Sequence, residues 1–348
     1  MRRSVLRAGP LSLTLRPRVV AVVVVLAALV AVFGCLEVSS GDYPLSPLAV
    51  IAALTGWSDD PGTHVVVTEF RLPRALVAIT VGAALGFSGA IVQSVARNPL
   101  ASPDVLGITA GAGAVAVAAA TGVTGIGAVT ALLGTTGAAM AGGLLTGLVV
   151  YLLAWRRGMD GYRLVLVGVS ITALMQALTE WFIAKADMHG AVAAQGWLSG
   201  SLNGRDWADV RTAAVGLVIA VLATLAVARA VGPMHLGDDV AVGLGVSLVR
   251  VRAILLIIAV LLVGVAVAAA GPIPFVAFVA PQLALRFTAS ATPPLVTSAL
   301  VGSVLLTGSD WLLRTVWAGE MPVGLATALV GGPFLVYVMV RRNMRTEM

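Results

Sequence analysis

The sequence predicts an all-α, polytopic membrane protein with about ten transmembrane helices. Of its 348 residues, 59% are hydrophobic and only 11% are charged, and the mean hydropathy is +1.01. Soluble domains are about 25% charged, so this composition indicates that most side chains face lipid or one another. The apolar runs are also long enough to cross about 30 Å of hydrocarbon, which takes about 20 residues in a helix.

Ten apolar runs follow one another along the chain. They cover 18–36, 73–94, 104–120, 126–154, 163–183, 210–228, 253–270, 275–287, 295–313 and 322–340. The eighth run is shorter than a regular span and contains Pro281. Non-helical backbone at membrane depth must be shielded by protein, because lipid offers it no hydrogen-bond partner. We therefore expect segment 271–287 to be packed inside the bundle.

The basic residues predict the orientation of the chain. With both termini in the cytoplasm, the inner loops contain 16 of the 22 basic residues and the outer loops contain 6. Cytoplasmic loops carry an excess of Lys and Arg, which favours this orientation. An even number of spans also keeps the basic N-terminal arm 1–17 and the tail 341–348 on one side. The sequence thus predicts one transmembrane domain, 1–348, in the cell (cytoplasmic) membrane.

Residues 1–35 also fit a second interpretation. Arginines, an apolar stretch and the sequence VFGC at 32–35 resemble a secretory or lipoprotein signal peptide. A first membrane span accounts for the same residues, and the chain continues as a polytopic bundle. Cys35 is the only cysteine, so an internal disulfide is excluded, and the His and Cys spacings of structural metal sites are absent.

Several function classes are disfavoured by what the sequence lacks. A P-loop ends in Lys-Ser or Lys-Thr, but the only lysine, Lys185, precedes an alanine, so the chain does not hydrolyse ATP by that route. No nucleophile, base and orienting group share one depth, so no enzyme is expected. The pI near 10.4 comes from arginines in short loops, which is a topology signal and predicts no nucleic-acid partner.

Ion-coupled secondary transport remains the alternative from another class. Such carriers usually place carboxylates or histidines near the bilayer midplane. Here Glu180 and Asp310 fall near the predicted outer ends of their spans. This position makes secondary transport a poor fit, and any driving energy is expected to come from a partner.

Three arginines are exceptions to the excess of basic residues on the cytoplasmic side. They are Arg71, Arg74 and Arg314, which lie at the predicted outer ends of the second and ninth spans. In one interpretation they reach the lipid phosphates from the span ends. In the other they form a cationic surface for an acidic partner that arrives from outside, since charge complementarity sets register and encounter rate. At this point the residues leave both interpretations open.

Small residues recur at helical spacing in three of the predicted spans. The motifs are Gly82-x-x-x-Gly86, Gly107-x-x-x-Gly111 and Gly143-x-x-x-Gly147. Such smooth faces allow two helices to approach closely in a membrane. We therefore expect a tightly packed bundle.

Loop 232–252 is long for a cytoplasmic loop of this chain and mixes acidic with basic residues. Apolar residues recur in it at helical spacing, at Leu236, Val240, Leu244 and Leu248. This pattern predicts a short amphipathic helix outside the membrane, for which a plain interfacial role is the alternative. The acidic start at Asp238 and Asp239 and the small Ala241 and Gly245 favour insertion into the groove of a partner protein.

Here the sequence resembles a known family. The spacing Asp239-Val240-Ala241-x-x-x-Gly245 resembles the motif by which ABC-importer permeases seat a helix in their ATPase subunit. Nearly the whole chain resembles the FecCD family of iron-siderophore and vitamin B12 permeases, most of all its ferric-enterobactin members. The matching stretches are RLPRALVAITVGAALGFSGAIVQSVARNPLASPDVLGITAGA (71–112), WLSGSLNGRDW (197–207), LGDDVAVGLGVSLVRVR (236–252), GPIPFVAFVAPQLALRF (271–287) and EMPVGLATALVGGPFLVY (320–337).

The resemblance implies a type II ABC-importer permease fold with ten helices in each subunit. It implies four kinds of partner besides membrane lipid: a second permease subunit, more often a homologue than a copy, two ATPase subunits, an external binding protein, and a ferric siderophore, here of catecholate type. Vitamin B12 and haem are the alternative substrates. ATP and Mg would be bound by the ATPase, so no cofactor is expected in this chain.

The resemblance also implies roles for individual residues. Docking of the binding protein would use Arg71, Arg74 and Arg314. Coupling to the ATPase would use Leu236, Asp238, Asp239, Ala241, Leu244 and Gly245. Candidates for the translocation pathway are Thr172, Gln176 and Gln93, for which core packing is the alternative. Family members usually have Pro-His where this chain has Pro281-Gln282, so no role for an imidazole can be carried over.

Overall fold

The computed structural model describes residues 4–8, 11–41, 43, 45–57, 60–122, 127–154, 161–316 and 321–346. The first helices are α1 (Pro17–Ser39), α2 (Pro47–Thr55), α3 (Pro61–Val65), α4 (Leu72–Ala96), α5 (Ile108–Thr121), α6 (Gly127–Ala154) and α7 (Gly161–Lys185). The others are α8 (Met188–Leu198), α9 (Trp207–Met234), α10 (Asp238–Gly243), α11 (Leu248–Ala270), α12 (Val276–Thr288), α13 (Leu295–Val316) and α14 (Val323–Thr346). A π-helical turn, Val66–Arg71, joins α3 to α4.

The predicted all-α membrane fold is confirmed. Among the described residues, seven helices are long and apolar enough to cross a membrane, and three shorter helices are also apolar. Together they coincide with the ten predicted spans. The N-terminal arm adds one feature that the sequence did not predict, an antiparallel hairpin of β1 (Ser4–Ala8) and β2 (Leu11–Leu15).

The core of the bundle is built around α4 and α11, whose apolar residues are mostly buried. Helix α4 packs against α9, α11, α12 and α13. Its glycines permit this, because a Cβ on Gly82 or Gly86 would collide with the backbone of α13 at Gly302 or Ser298. The predicted close helix contacts are therefore present along α4, where backbone meets backbone.

Segment 271–287 lies inside the bundle, as predicted. The chain leaves α11 at Gly271, runs without helix to Phe275, and then forms α12, which has 13 residues and contains Pro281. Most residues of α12 are buried between α4 and α13. The neighbouring helices thus shield the irregular backbone, which a lipid environment requires.

Candidate functional site

The three arginines singled out from the sequence lie together where α1 ends. Two of their guanidinium groups donate to backbone carbonyls there: Arg71 to Val38, Ser39 and Tyr43, and Arg314 to Glu37 and Ser40. The last carbonyls of a helix have no intrahelical partner and form the negative end of its dipole. Arg71 and Arg314 therefore cap α1, and the Arg71 side chain is buried in doing so.

Arg74 is held by an ion pair with an acid of α13. Its Nε and Nη2 donate to the two carboxylate oxygens of Asp310 on α13, each at 2.8 Å. Its Nη1 donates to the side-chain oxygen of Asn203. A planar two-bond contact of this kind is the strong form of a charged hydrogen bond. Arg74 thus ties the start of α4 to the end of α13.

Glu37 belongs to the same cluster, and the sequence analysis missed it. Its carboxylate is fully buried near the end of α1, with Oε1 at 4.0 Å from Nε of Arg74. A signal was present, because Glu37 directly follows a predicted apolar span, and an acid at such depth is rare unless it is paired. Of the two acids that the sequence analysis placed near the ends of membrane spans, Asp310 is in the cluster and Glu180 is exposed elsewhere.

The predicted helix in loop 232–252 exists but is shorter than expected. Helix α10 has six residues and ends at Gly243, because Gly245 adopts a left-handed φ of 81°. The expected continuation to Leu248 is wrong, since that residue begins α11. No atom lies within 4 Å of a Cβ built on Gly245, so its backbone conformation, and not crowding within the chain, requires glycine here.

The residues of α10 and its flanks divide into two faces. The apolar Leu236, Val240 and Leu244 are exposed, as is Asp239. Ala241 is fully buried against the rest of the chain. The expectation that Ala241 lets a partner approach closely is therefore corrected, because this side chain faces inward.

Asp238 also faces the bundle rather than the exposed side of α10. One carboxylate oxygen accepts hydrogen bonds from Arg97 at 2.5 Å and from Arg252 at 2.7 Å. Partial burial alone would raise the pKa of Asp238, but the bond to Arg252 and the charges of Arg252 and Arg97 outweigh it and hold this pKa below its ordinary value. The carboxylate is accordingly charged at neutral pH.

Two of the three pathway candidates share one cavity. Thr172 and Gln176 on α7 line a cavity of about 420 Å³ whose other walls include Phe275, Phe278 and Leu335. Most of this lining is apolar. Aromatic and aliphatic side chains with a few polar groups are typical of pockets that take a small molecule.

Gln93 does not reach that cavity. It is buried on α4, where its side-chain oxygen accepts from Nε2 of Gln282 at 2.6 Å. Gln93 and Gln282 line a separate cavity of about 370 Å³ next to Arg97 and His235. Gln282 therefore joins α12 to α4 through an amide pair.

Comparison with known proteins identifies the family. Residues 28–341 match the FecCD transport family. The chain is 38% identical over 316 residues to the ferric enterobactin transport system permease protein FepG of Escherichia coli strain K12, covering 90% of this chain and 94% of that protein. It is 36% identical to the iron(3+)-hydroxamate import system permease protein FhuG of Bacillus subtilis strain 168, covering 95% and 99% of the two chains.

Two further comparisons extend the match. The cobalamin import system permease protein BtuC of Halobacterium salinarum is 34% identical, with coverage of 97% of this chain and 92% of that protein. A solved structure described as an inward-facing, metal-chelate type ABC transporter superposes with a TM-score of 0.79 at 24% identity, over 92% of this chain and 99% of its own, and supports the fold. The chain therefore belongs to the FecCD transport family and is a multi-pass permease subunit of an ABC importer.

Proposed function

We propose that this permease moves a ferric siderophore, of catecholate type, from an external binding protein into the cytoplasm by alternating access. The observation that carries the proposal is the exposed apolar surface of α10 and its flanks, formed by Leu236, Val240 and Leu244. An exposed apolar patch on a short helix marks a contact with another protein. The chain has no nucleotide-binding motif, so this contact is where a separate ATPase supplies energy.

Co-purification tests the ATPase contact. Leu244→Asp should abolish recovery of the ATPase with the permease, because a charge would replace an apolar anchor. Leu48→Asp, on α2 at the other end of the bundle, is the matched control, since Leu48 is also an exposed leucine. Full recovery of the ATPase with Leu244→Asp would contradict the proposal.

The substrate class rests on the relatives and on the α7 cavity. FepG, FhuG and BtuC are named for three different chelates, an enterobactin complex, a hydroxamate complex and cobalamin. The catecholate choice follows FepG, and cobalamin and haem remain alternatives within the family. Competition for uptake in vesicles between ferric enterobactin, a ferric hydroxamate, haem and cobalamin tests it. Preferential inhibition by a hydroxamate, haem or cobalamin would overturn the catecholate assignment.

The conduit is proposed to run between two permease subunits. The cavity at Thr172 and Gln176 lies on α7, whose apolar residues are mostly exposed in the single chain. A second subunit, a homologue in the favoured arrangement, would close this cavity from the other side. Co-expression of two differently tagged copies tests the arrangement, because recovery of both tags in one complex would favour a homodimer instead.

Docking of the binding protein remains a proposal for the arginine cluster. Arg71 is buried, so contact with an acidic partner falls to the parts of Arg74 and Arg314 that remain accessible. Arg314→Glu should weaken capture of the binding protein while the ATPase still co-purifies. Arg211→Gln is the control, because Arg211 is exposed on the predicted outer side. Unchanged capture by Arg314→Glu would contradict docking at this cluster.

Cysteine labelling tests the orientation with both termini in the cytoplasm. In a Cys35→Ser background, single cysteines at Leu48 and Leu244 would be exposed at opposite ends of the bundle. A membrane-impermeant maleimide added outside should label the first and spare the second. The reverse pattern would overturn the orientation, and uptake that depends on a proton gradient rather than on ATP would favour the secondary-carrier alternative.

A further inference from the structure

Asp238 connects three segments of the chain at one carboxylate oxygen. It begins α10, and it accepts hydrogen bonds from Arg97, which follows α4, and from Arg252 near the start of α11. We propose that Asp238 is a positioning residue that transmits movement of α10 to the core helices α4 and α11 through Arg97 and Arg252. This inference rests on the proposed coupling of α10 to an ATPase.

Arg97 is placed for this contact by an unusual backbone conformation. It ends α4 with φ 48° and ψ 31°, a left-handed conformation that is unfavourable for a residue other than glycine. From this position Nη2 donates both to Asp238 and to the carbonyl of Met234, at 2.9 Å. Arg97 therefore holds the end of α9 and the start of α10 at the same time.

Arg252 provides the buried half of the contact. Arg252 is buried, and its Nε has no hydrogen-bond partner among the described residues. Its Nη2 donates to Asp238 at 2.7 Å, so this carboxylate is the acid that balances the Arg252 charge. Loss of that charge would leave a buried guanidinium group without its counter-ion, which strongly favours rearrangement.

The surroundings of α10 allow this helix to move while Asp238 stays hydrogen-bonded to Arg97 and Arg252. Gly237 and Gly245 flank the helix with positive φ values, and no atom lies within 4 Å of a Cβ built on either one. The exposed side of α10 is free for a partner, whereas Asp238 and Ala241 face inward. Helices α4 and α11 are closely packed in the core, so a displacement of their ends moves the packed helices of the bundle as well.

The test uses the complete importer in vesicles, with permease, ATPase and binding protein, and measures substrate taken up per ATP hydrolysed. Asp238→Asn should leave the ATPase bound and hydrolysing ATP, while uptake per ATP falls by about fivefold or more. Such a factor corresponds to a small change in the free-energy difference between two conformations of the helix bundle. Arg250→Gln is the matched control for Arg252→Gln, because Arg250 lies in the same turn and is exposed. It should leave the ratio unchanged.

A double variant separates this mechanism from two independent defects. If Asp238 acts through Arg252, then Asp238→Asn with Arg252→Gln should lower uptake per ATP no further than either change alone, because the two residues form one contact. Additive losses would overturn the proposal. So would wild-type uptake per ATP in Asp238→Asn, or loss of the ATPase from that variant, since the latter would make Asp238 a direct contact of the partner.

Two measurements keep the proposal testable if Asp238→Asn folds poorly. Asp238→Glu keeps the charge and should restore part of the ratio. Arg97→Gln changes a side chain that is 47% exposed, so the fold is expected to tolerate it. An unchanged ratio in Arg97→Gln and no rescue by Asp238→Glu would overturn the inference. Failure of the proposed function itself is distinguishable, because then the wild-type complex would show no ATP-driven uptake at all.

Discussion

Helix α4 has a charged cluster at each end, and the two clusters differ in how exposed their ion pairs are. Its 25 residues span about 37 Å at 1.5 Å per residue. At its start, the Arg74 and Asp310 side chains are 16% and 1% exposed. At its end, the Arg97 and Asp238 side chains are 47% and 41% exposed. The guanidinium–carboxylate pair is therefore buried at the first end, whereas at the second end the Arg97–Asp238 pair is about half exposed and only the Arg252 guanidinium group is buried.

This difference shows which end of the bundle is fixed and which can rearrange. Breaking a buried ion pair leaves an uncompensated charge and is strongly destabilising, whereas a solvated pair contributes little. The arginine end joins three helices of the bundle, α1, α4 and α13, through such buried contacts. At the α10 end, the Arg97–Asp238 pair is about half exposed and the short helix lies between two glycines, so this helix can shift while Asp238 stays paired with the buried Arg252.

The largest expected effect breaks the buried end. Arg74→Met removes the cation that pairs with Asp310 and lies 4.0 Å from Glu37, and should destabilise the permease by about 3–5 kcal/mol. Thermal unfolding in detergent measures this change. Arg211→Gln, at an exposed position on α9, should unfold like the wild type. Equal stability of Arg74→Met and the control would show that the buried cluster does not fix this end.

The next effect tests the rigid body between the two ends. A Cβ on Gly89 would collide with the carbonyl oxygen of Ala277 on α12, so Gly89→Ala should force the helices apart at about 1–3 kcal/mol. Gly332→Ala is the control in α14, where the added methyl group meets open space. Its helix should be unchanged or slightly stabilised. A harmless Gly89→Ala would mean that α4 and α12 are not in fixed contact.

A smaller effect is expected when the solvated end is broken. Arg97→Gln should change stability by less than about 1 kcal/mol, because the side chain is half exposed and screened by water. The same thermal unfolding measurement allows a direct comparison with Arg74→Met. A loss as large as that of Arg74→Met would erase the contrast between the two ends.

The smallest effect concerns pH at the α10 end. Because the pKa of Asp238 is lowered, its ion pairs persist until the pH falls to about 4, the ordinary pKa of an aspartate, and weaken only below that pH. A change from pH 7.5 to 5.5 therefore leaves them intact. His235 behaves differently, because partial burial and then the Arg97 charge lower its pKa. The folded chain resists protonation of His235, so its contribution to stability falls as the pH drops through about 6.5.

Unfolding midpoints at pH 7.5 and 5.5 check this assignment. The wild type should lose slightly more stability than His235→Gln over this interval, because the variant has no imidazole to protonate. Asp238→Asn should show the same pH dependence as the wild type. If Asp238→Asn rather than His235→Gln removed the acid sensitivity, the pKa assignments of the two groups would be reversed.

The sequence predicted the helical spans and the site of α10 because both depend on local patterns. Apolar runs of sufficient length specify membrane helices, and the short eighth run with Pro281 indicated a shielded segment. The end of α10 was misjudged because four apolar residues at helical spacing suggested a continuous helix. Gly245, with its left-handed backbone, interrupts it. Helical spacing therefore overestimated the length of α10, because the spacing of apolar residues takes no account of a glycine that ends the helix.

By itself, the sequence determined the membrane class, the ten apolar segments and the family, since each follows from hydropathy or from motifs that are contiguous in the chain. Only the tertiary structure decided how the charged residues are used. Arg74 meets Asp310 across 236 positions, and Gln93 meets Gln282 across 189. Such partners are chosen by which helix ends the packing brings together, and in a low-dielectric interior every buried charge or amide must find one.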